Sequence, residues 1–400
     1  MNNHTHSMSC SLNLILTSAA IASVITGFNP KAFAATFKVS NNNDSGTGSL
    51  RQAIIDAGKS SGLDIIDLTG LSGTIPLNSP LIVDAGNDIK FEGNGTITIS
   101  GQRICQIMAI NGAKVDISGI TFVDGFAQGG EGRNGGGGGL GAGGALFVNA
   151  GVVKLNNNVK FIGNGASGGI SVVESNFYNG GDYYEGGRDG GRGGKLNAGT
   201  CGGITFAANS SFPPIGADGN GGRGGPSVNR KGAKGDDGQE GGFGTGGGGG
   251  GGGGSKRNLL FAKSDRAGHG GKGGKGGYGA GGGSGGGGGR SYWNSGNPGS
   301  NGEAGAYAGS GQWGGIGWDG RGVGCGGGGA ALGGAIFVRS GATLIRSFDT
   351  VFRDNYVAGG RSSDAFGRAC NSGQGAGPDI FLQDGEGTSE LTLAIRNSSE

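Results

Sequence analysis

Histidine, the side chain best suited to moving a proton near neutral pH, occurs at His4, His6 and His269. His269 stands in Gly268-His269-Gly270-Gly271, with no Ser, Cys or Asp at the spacing of a nucleophile and its base. Acyl transfer by a Ser-His-Asp or Cys-His set is therefore not expected. Gly274-Lys275-Gly276 sets a lysine among glycines, but the hydroxyl that follows the lysine of a phosphate loop is missing. Carboxylates gather at Asp182, Glu185 and Asp189, and again at Asp236, Asp237 and Glu240. Such oxygens suit calcium, yet neither cluster follows the EF-hand loop or the nonapeptide calcium repeat. Solvated loop charges are the plainer reading. No cofactor is expected, and calcium is the one metal the pattern admits. Cys10, Cys105, Cys201, Cys325 and Cys370 show no Cys-x-x-Cys spacing, which argues against zinc. In an exported chain a Cys201–Cys325 disulfide would staple the middle of the sequence; unpaired or buried thiols fit the same spacing.

Export is the expectation from the N-terminus. Leu12 to Ile25 is an apolar core of signal-peptide length, and Ala32-Phe33-Ala34 is a small-x-small cleavage pattern before Ala35. The segment ahead of the core offers His4 and His6 but no Lys or Arg. After it, no apolar run is long enough to span a bilayer. Lys+Arg 31 against Asp+Glu 29 leaves a formal charge of +2, too balanced for a nucleic-acid binder or a polybasic membrane surface. Glycine supplies 105 of 400 residues. Each glycine in a helix costs about 1 kcal/mol against alanine, so an ordinary α/β enzyme domain is not expected. Only 8 prolines are present, too few for collagen over most of the length.

The elements that must position any site are short strands. Ile89 and Phe91, Ile97 and Ile99, Val115 and Ile117, and Ile120 and Phe122 alternate with other residues at a period of two. Gly86-Asn87, Asn94-Gly95 and Asn111-Gly112 are turn signals between them. An internal repeat decides how the strands assemble. Gly143-Gly144-Ala145-Leu146-Phe147-Val148 matches Gly333-Gly334-Ala335-Ile336-Phe337-Val338, and Phe161-x-x-Asn164 matches Phe352-x-x-Asn355. Ile104 to Gly125 is a unit of similar size that ends Phe122-x-x-Gly125. A unit of roughly 20 residues with two or three short strands reads as one coil of a parallel β-helix. Stacked coils would set Phe on Phe and Asn on Asn, with glycines supplying positive φ at corners.

Ser49-Leu50-Arg51-Gln52 reads as a capping box. Leu50, Ala53, Ile54 and Ala57 follow at helical spacing, and Gly58 is a natural stop. Residues 47–58 are thus expected as a short helix covering the exposed first coil. The resulting division is a signal segment 1–34, a cap segment 35–75, coils over 76–164, a glycine-rich block 165–330 and further coils over 331–400. Leu391, Leu393 and Ile395 alternate as if another coil were starting.

The Gly-Gly-Ala-[Ile/Leu] and Phe-x-x-Asn motifs resemble the repeats of the polymorphic outer-membrane protein family of bacterial surface β-helix proteins. Val39 to Ile54 is similar to the N-terminal module named for its Cys-Ser-Leu-Arg-Glu-Ala stretch, with Gly48 and Gln52 in place of the Cys and Glu. Gly377-Pro378-Asp379-Ile380-Phe381-Leu382 also looks like such a chain rejoining a coil after a glycine loop. The resemblance covers about residues 38–164 and 333–382. It implies an all-β, right-handed, single-stranded parallel β-helix, export, and a surface or adhesin-like role in a bacterium, and it brings no catalytic residues.

Two readings of the glycine block stand side by side. Ordering one residue's backbone costs about 1–2 kcal/mol, and apolar side chains are too sparse there to offset that, which suggests a flexible insertion. Yet glycine recurs every third residue over Gly216–Gly225, Gly232–Gly244 and Gly299–Gly305, the repeat of packed polyglycine helices. Tyr183, Tyr184, Tyr292, Trp293, Trp313 and Trp318 are its candidate contacts for glycan or protein, or anchors to the β wall. The expected function is an exported structural or adhesin-like protein without catalysis, secreted or held at the cell surface. Its partner would be a host or environmental surface glycan or protein. The alternative is a polysaccharide lyase or glycosidase using Asp116, Asp124, Asp349, Asp354, Arg346 and Arg353, which would need paired carboxylates in a cleft.

Overall fold

The computed structural model describes residues 34–60, 62–173, 190–198, 204, 227–228, 231–254, 267–289, 295–311, 324–363, 370–383 and 390–394. Strands dominate. Thr36–Lys38, Leu63–Asp67, Asp88–Ser100, Met108–Val123, Leu146–Leu155, Ile336–Val338 and Ile380–Leu382 lie side by side in that order within one 13-stranded sheet, each pair parallel. Phe126–Gln128, Gly165–Ser167 and Tyr356–Ala358 form a second parallel set. Gly141–Ala142, Ala331–Leu332 and Gly375–Ala376 form a third. Among the described residues the fold is thus mostly β and parallel, with one helix.

The period-two pattern explains the burial. In Asp88–Ser100, Ile89, Phe91, Ile97 and Ile99 are buried and alternate with more exposed residues such as Lys90 and Thr98. Parallel pairing then places inward residues over inward residues: Phe91 over Ile117, Ile99 over Phe122, and Phe161 between Phe122 and Phe352. Each fully buried side chain of this size stabilises the core by roughly 1.5–3 kcal/mol. Leu146, Phe147 and Val148 are buried on both faces of their strand. Leu146 and Val148 join the main core, while Phe147 packs on the opposite side with Leu140, Leu196 and Phe337. A strand covered on both sides reads as a continuous apolar run rather than an alternation.

Gly143 to Asn164 lies parallel to Gly333 to Asn355, strand by strand. Leu146 lies beside Ile336, Val153 beside Leu344, Phe161 beside Phe352 and Gly165 beside Tyr356. Glu390–Ala394 continues the same growth, pairing parallel with Thr343–Ser347.

The helix runs Leu50–Ala57, with Ser49 as N-cap accepting from the Gln52 N–H at 3.2 Å. Only half of the expected capping box forms, because the Gln52 side chain donates forward to Asp56 at 3.0 Å. Leu50, Ala53, Ile54 and Ala57 pack into the core with Val39, Ile66 and Leu68. Arg51 fixes the helix by an ion pair to Asp44 at 2.6 Å and by donating to the carbonyls of Ser79 and Pro80.

The disulfide differs from the sequence expectation. Cys325 is bonded to Cys370, whereas Cys201 lies outside the described residues. Gly328 and Ala331 donate to the carbonyls of Asn371 and Gln374 at 2.9 Å, so the two cysteine-bearing segments run side by side although 45 residues separate the thiols. Cys105 is disulfide-bonded too.

Candidate functional site

The repeat motif owes its residue types to a corner. Phe122, Phe161 and Phe352 stack with centroids 5.1 and 5.2 Å apart. Two residues on, Asp124, Gly163 and Asp354 have φ of 50°, 65° and 55° and turn the chain. Gly125, Asn164 and Asn355 follow. The Asn164 Oδ1 accepts from the Gly125 N–H at 2.8 Å, and its Nδ2 donates to the Phe122 carbonyl and to the Asn355 Oδ1, both at 3.1 Å. Asn355 repeats the pattern, donating to the Phe161 carbonyl at 3.2 Å and to Asp379 at 3.0 Å. Gly143, Gly333 and Gly377 form a second column of left-handed turns, at φ 66°, 67° and 63°. Gly144 and Gly334 follow them, and the Gly144 N–H donates to the Gly334 carbonyl at 3.0 Å.

Within the glycine block, extended runs are cross-linked at a period of three. Gly235, Gly238 and Gly241 donate to the carbonyls of His269, Lys272 and Lys275 at 2.8–2.9 Å. Gly270, Gly273 and Gly276 donate to Asn297, Ser300 and Glu303 at the same distances. Gly271 and Gly274 donate inward to Gly251 and Gly248, and Gly247, Gly250 and Gly253 to Gly281, Ser284 and Gly287. Glycine is required here by close approach: a Cβ on Gly271 or Gly274 would strike the carbonyl oxygen of Asp236 or Gln239. The number of side chains per triplet follows the surroundings. Residues 246–254 and 281–289 are buried and glycine throughout except Ser284. The run over 268–277 carries one exposed side chain per triplet: His269, Lys272 and Lys275. The outer runs carry two, such as Asp236 and Asp237, or Ser300 and Asn301.

The outward third positions make a regular polar face. Rows of Lys234, Asp237 and Glu240, of His269, Lys272 and Lys275, and of Asn297, Ser300 and Glu303 lie side by side, with about 9 Å between successive side chains along a run of 3.1 Å rise per residue. Lys234 pairs with Asp237 at 3.0 Å and Lys275 with Glu303 at 3.2 Å, and the Asn297 N–H donates to His269 Nδ1 at 2.9 Å. Partial burial pushes the Asp237 carboxyl up, but the Lys272 N–H and the Lys234 ammonium outweigh it and hold the group below its ordinary value.

Phe243 and Tyr278 end two of these rows and anchor the block. Their rings stack at 5.7 Å, and Phe243 meets Phe337, the middle ring of the Phe147–Phe337–Phe381 stack, at 6.2 Å. The Arg339 guanidinium lies 3.9 Å from the Phe243 centroid and donates to Asn149 at 2.7 Å. Burial pushes its pKa down to about 10. Sequence reading missed both aromatics. The signal was there in Gly241-Gly242-Phe243-Gly244 and Gly276-Gly277-Tyr278-Gly279, an internal repeat whose last glycines turn at φ 74° and 72°.

Tyr183, Tyr184, Tyr292, Trp293, Trp313 and Trp318 lie outside the described residues, as do Asp182, Glu185 and Asp189. Two of the candidate catalytic carboxylates, Asp124 and Asp349, are held by separate partners. Asp124 takes Arg103 at 2.9 Å, and Asp349 takes the Asn158 N–H at 3.1 Å. Arg346 lies over the Phe352 ring at 5.9 Å. Among the described residues no three His, Cys, Asp or Glu side chains gather as metal ligands, and no helix is long and apolar enough to cross a membrane. No protein-family model, curated protein or solved structure matches the chain.

Proposed function

We propose that the chain is an exported bacterial protein of the polymorphic outer-membrane protein type, structural or adhesin-like, at the cell surface or outside the cell. Its scaffold is a right-handed parallel β-helix. Its glycine block is a polyglycine-type slab pinned to the β wall and presenting a polar face to a surface glycan or protein. The observation that carries this reading is the parallel register of Gly143–Asn164 with Gly333–Asn355, closed around the glycine excursion. Parallel neighbours need a crossover connection, and a repeat that pairs with its own copy in register suits coils stacked along one axis. Side chains held at fixed intervals on a hydrogen-bonded slab suit contact more than turnover.

Cysteines placed at Lys160 and Val351, which lie opposite each other in the register, test the coil stacking. An oxidative cross-link supports it, and its absence alongside a cross-linking control pair overturns it. Incubating the purified protein with a panel of surface polysaccharides tests the role. Retention without product release is expected, and release of shortened or unsaturated sugars would overturn it.

A further inference from the structure

We infer that Phe126, Tyr356 and the Arg103–Asp124 pair form a binding site for one ring of a neutral glycan. The inference rests on the contact role proposed above and gives it a location and a ligand class. Phe126 and Tyr356 occupy one column of the second parallel set, two strands apart, with Gly165 between them. Strands two apart are separated by about twice 4.8 Å, yet the rings approach to 6.4 Å with a 27° tilt. The Tyr356 ring closes the gap by leaning over Gly165, where a Cβ would strike it. The result is an aromatic platform on the outside of the fold, with Tyr356 43 % exposed.

A strained loop brings the polar partner. Gln102 and Arg103 both adopt left-handed backbone, at φ 55° and 60°, as does Asp124 at 50°. Non-glycine residues hold such angles only where their surroundings enforce them, and they gather at functional sites. Here the Arg103 N–H donates to the Asp124 carbonyl at 2.7 Å, the Phe126 N–H donates to the Cys105 carbonyl at 2.8 Å, and Cys105 is disulfide-bonded. The Arg103 side chain, 74 % exposed, pairs with the Asp124 carboxylate at 2.9 Å. That carboxylate raises the guanidinium pKa above its ordinary value. Asp124 stands two residues before Phe126, and Cys105, which accepts from the Phe126 N–H, stands two residues after Arg103, so the pair lies at the Phe126 end of the platform.

The chemistry fits a sugar. A pyranose offers an apolar C–H face that stacks on an aromatic ring and a rim of hydroxyls that both donate and accept. The guanidinium–carboxylate pair supplies donors and acceptors with no net charge, which favours a neutral ring over an anionic one. A protein partner would need about 800 Å² of surface with an apolar centre, and a two-ring platform beside an ion pair supplies no such centre.

The test is a panel of neutral and anionic oligosaccharides titrated into the full chain, followed by calorimetry and by Tyr356 fluorescence or ring NMR signals. The expected result is binding of a neutral oligosaccharide that weakens about tenfold in Tyr356→Ala, the scale of one aromatic contact plus its burial. Tyr356→Phe, which keeps the ring, retains it, and Tyr307→Ala, another exposed aromatic, leaves it unchanged. Circular dichroism matching the parent shows each variant is folded. Glycan binding indifferent to Tyr356→Ala and Arg103→Ala overturns this site while sparing the contact role. Binding of anionic glycans alone, or of a protein ligand that needs Tyr356, also overturns it. Binding to nothing in the panel removes the site and the glycan-contact role together.

Discussion

Phe161→Ala is the most direct probe of the stacked core. Phe161 is fully buried and lies between Phe122 and Phe352, with centroids 5.1 and 5.2 Å away and both rings within 10° of parallel. Truncating a buried Phe costs about 3–5 kcal/mol, because the transfer term is joined by an unfilled cavity. Each stacked pair adds about 0.5–1.5 kcal/mol beyond area burial. Phe161 loses two pairs, so the upper part of the range applies, about 4–5 kcal/mol. Phe352 is only partly buried and has one Phe partner in the stack, so Phe352→Ala should cost less, about 2 kcal/mol. Urea unfolding followed by far-UV circular dichroism measures both, provided the m-value is unchanged. A loss below about 1 kcal/mol for Phe161→Ala, or a larger loss for Phe352→Ala, would refute the reasoning.

Asn164→Ala removes the acceptor of the Gly125 N–H and the donor to the Phe122 carbonyl, leaving two buried groups unmatched at about 1–3 kcal/mol each. A combined loss of roughly 3 kcal/mol is expected in the same unfolding assay. Gly274→Ala must push aside the Gln239 carbonyl and should expose the amides of Gly271 and Gly277 to faster hydrogen exchange. Gly341→Ala, with open space around it and only its φ of 80° to strain, should cost about 1–2 kcal/mol without that effect. Asp237 has a depressed carboxyl pKa, so its contribution is present above the ordinary value of 3.8 and is lost as pH falls through the lower folded value. Exchange of the Lys272 amide, which donates to Asp237 at 2.8 Å, should rise in that acid window relative to the Gly238 amide.

The strand registers were legible because they are set by a period of two: the matched motifs around Phe147 and Phe337, and around Phe161 and Phe352, set like residues beside like. The helix start at Ser49 was legible for a similar local reason. The other half of its box was not, since Gln52 had a competing carboxylate one turn ahead at Asp56. Cysteine spacing could not reveal Cys325–Cys370, because adjacency there comes from main-chain pairing of two glycine segments. Arithmetic based on apolar burial undervalued the glycine block by leaving out its backbone hydrogen bonds, which need no side chain. Phe243 and Tyr278 were missed because an aromatic in a glycine-rich stretch carries no period-two signal. The tilt of Tyr356 over Gly165 has no sequence signature at all.

The glycine runs separate architecture from display. Most of their cross-links are made by main-chain atoms, so in the run from Gly268 to Gly277 two positions of each triplet are closed to a side chain while the third carries one outward. Such a surface works like a pegboard. Its lettering at His269, Lys272 and Lys275 can be changed with little disturbance to the board beneath.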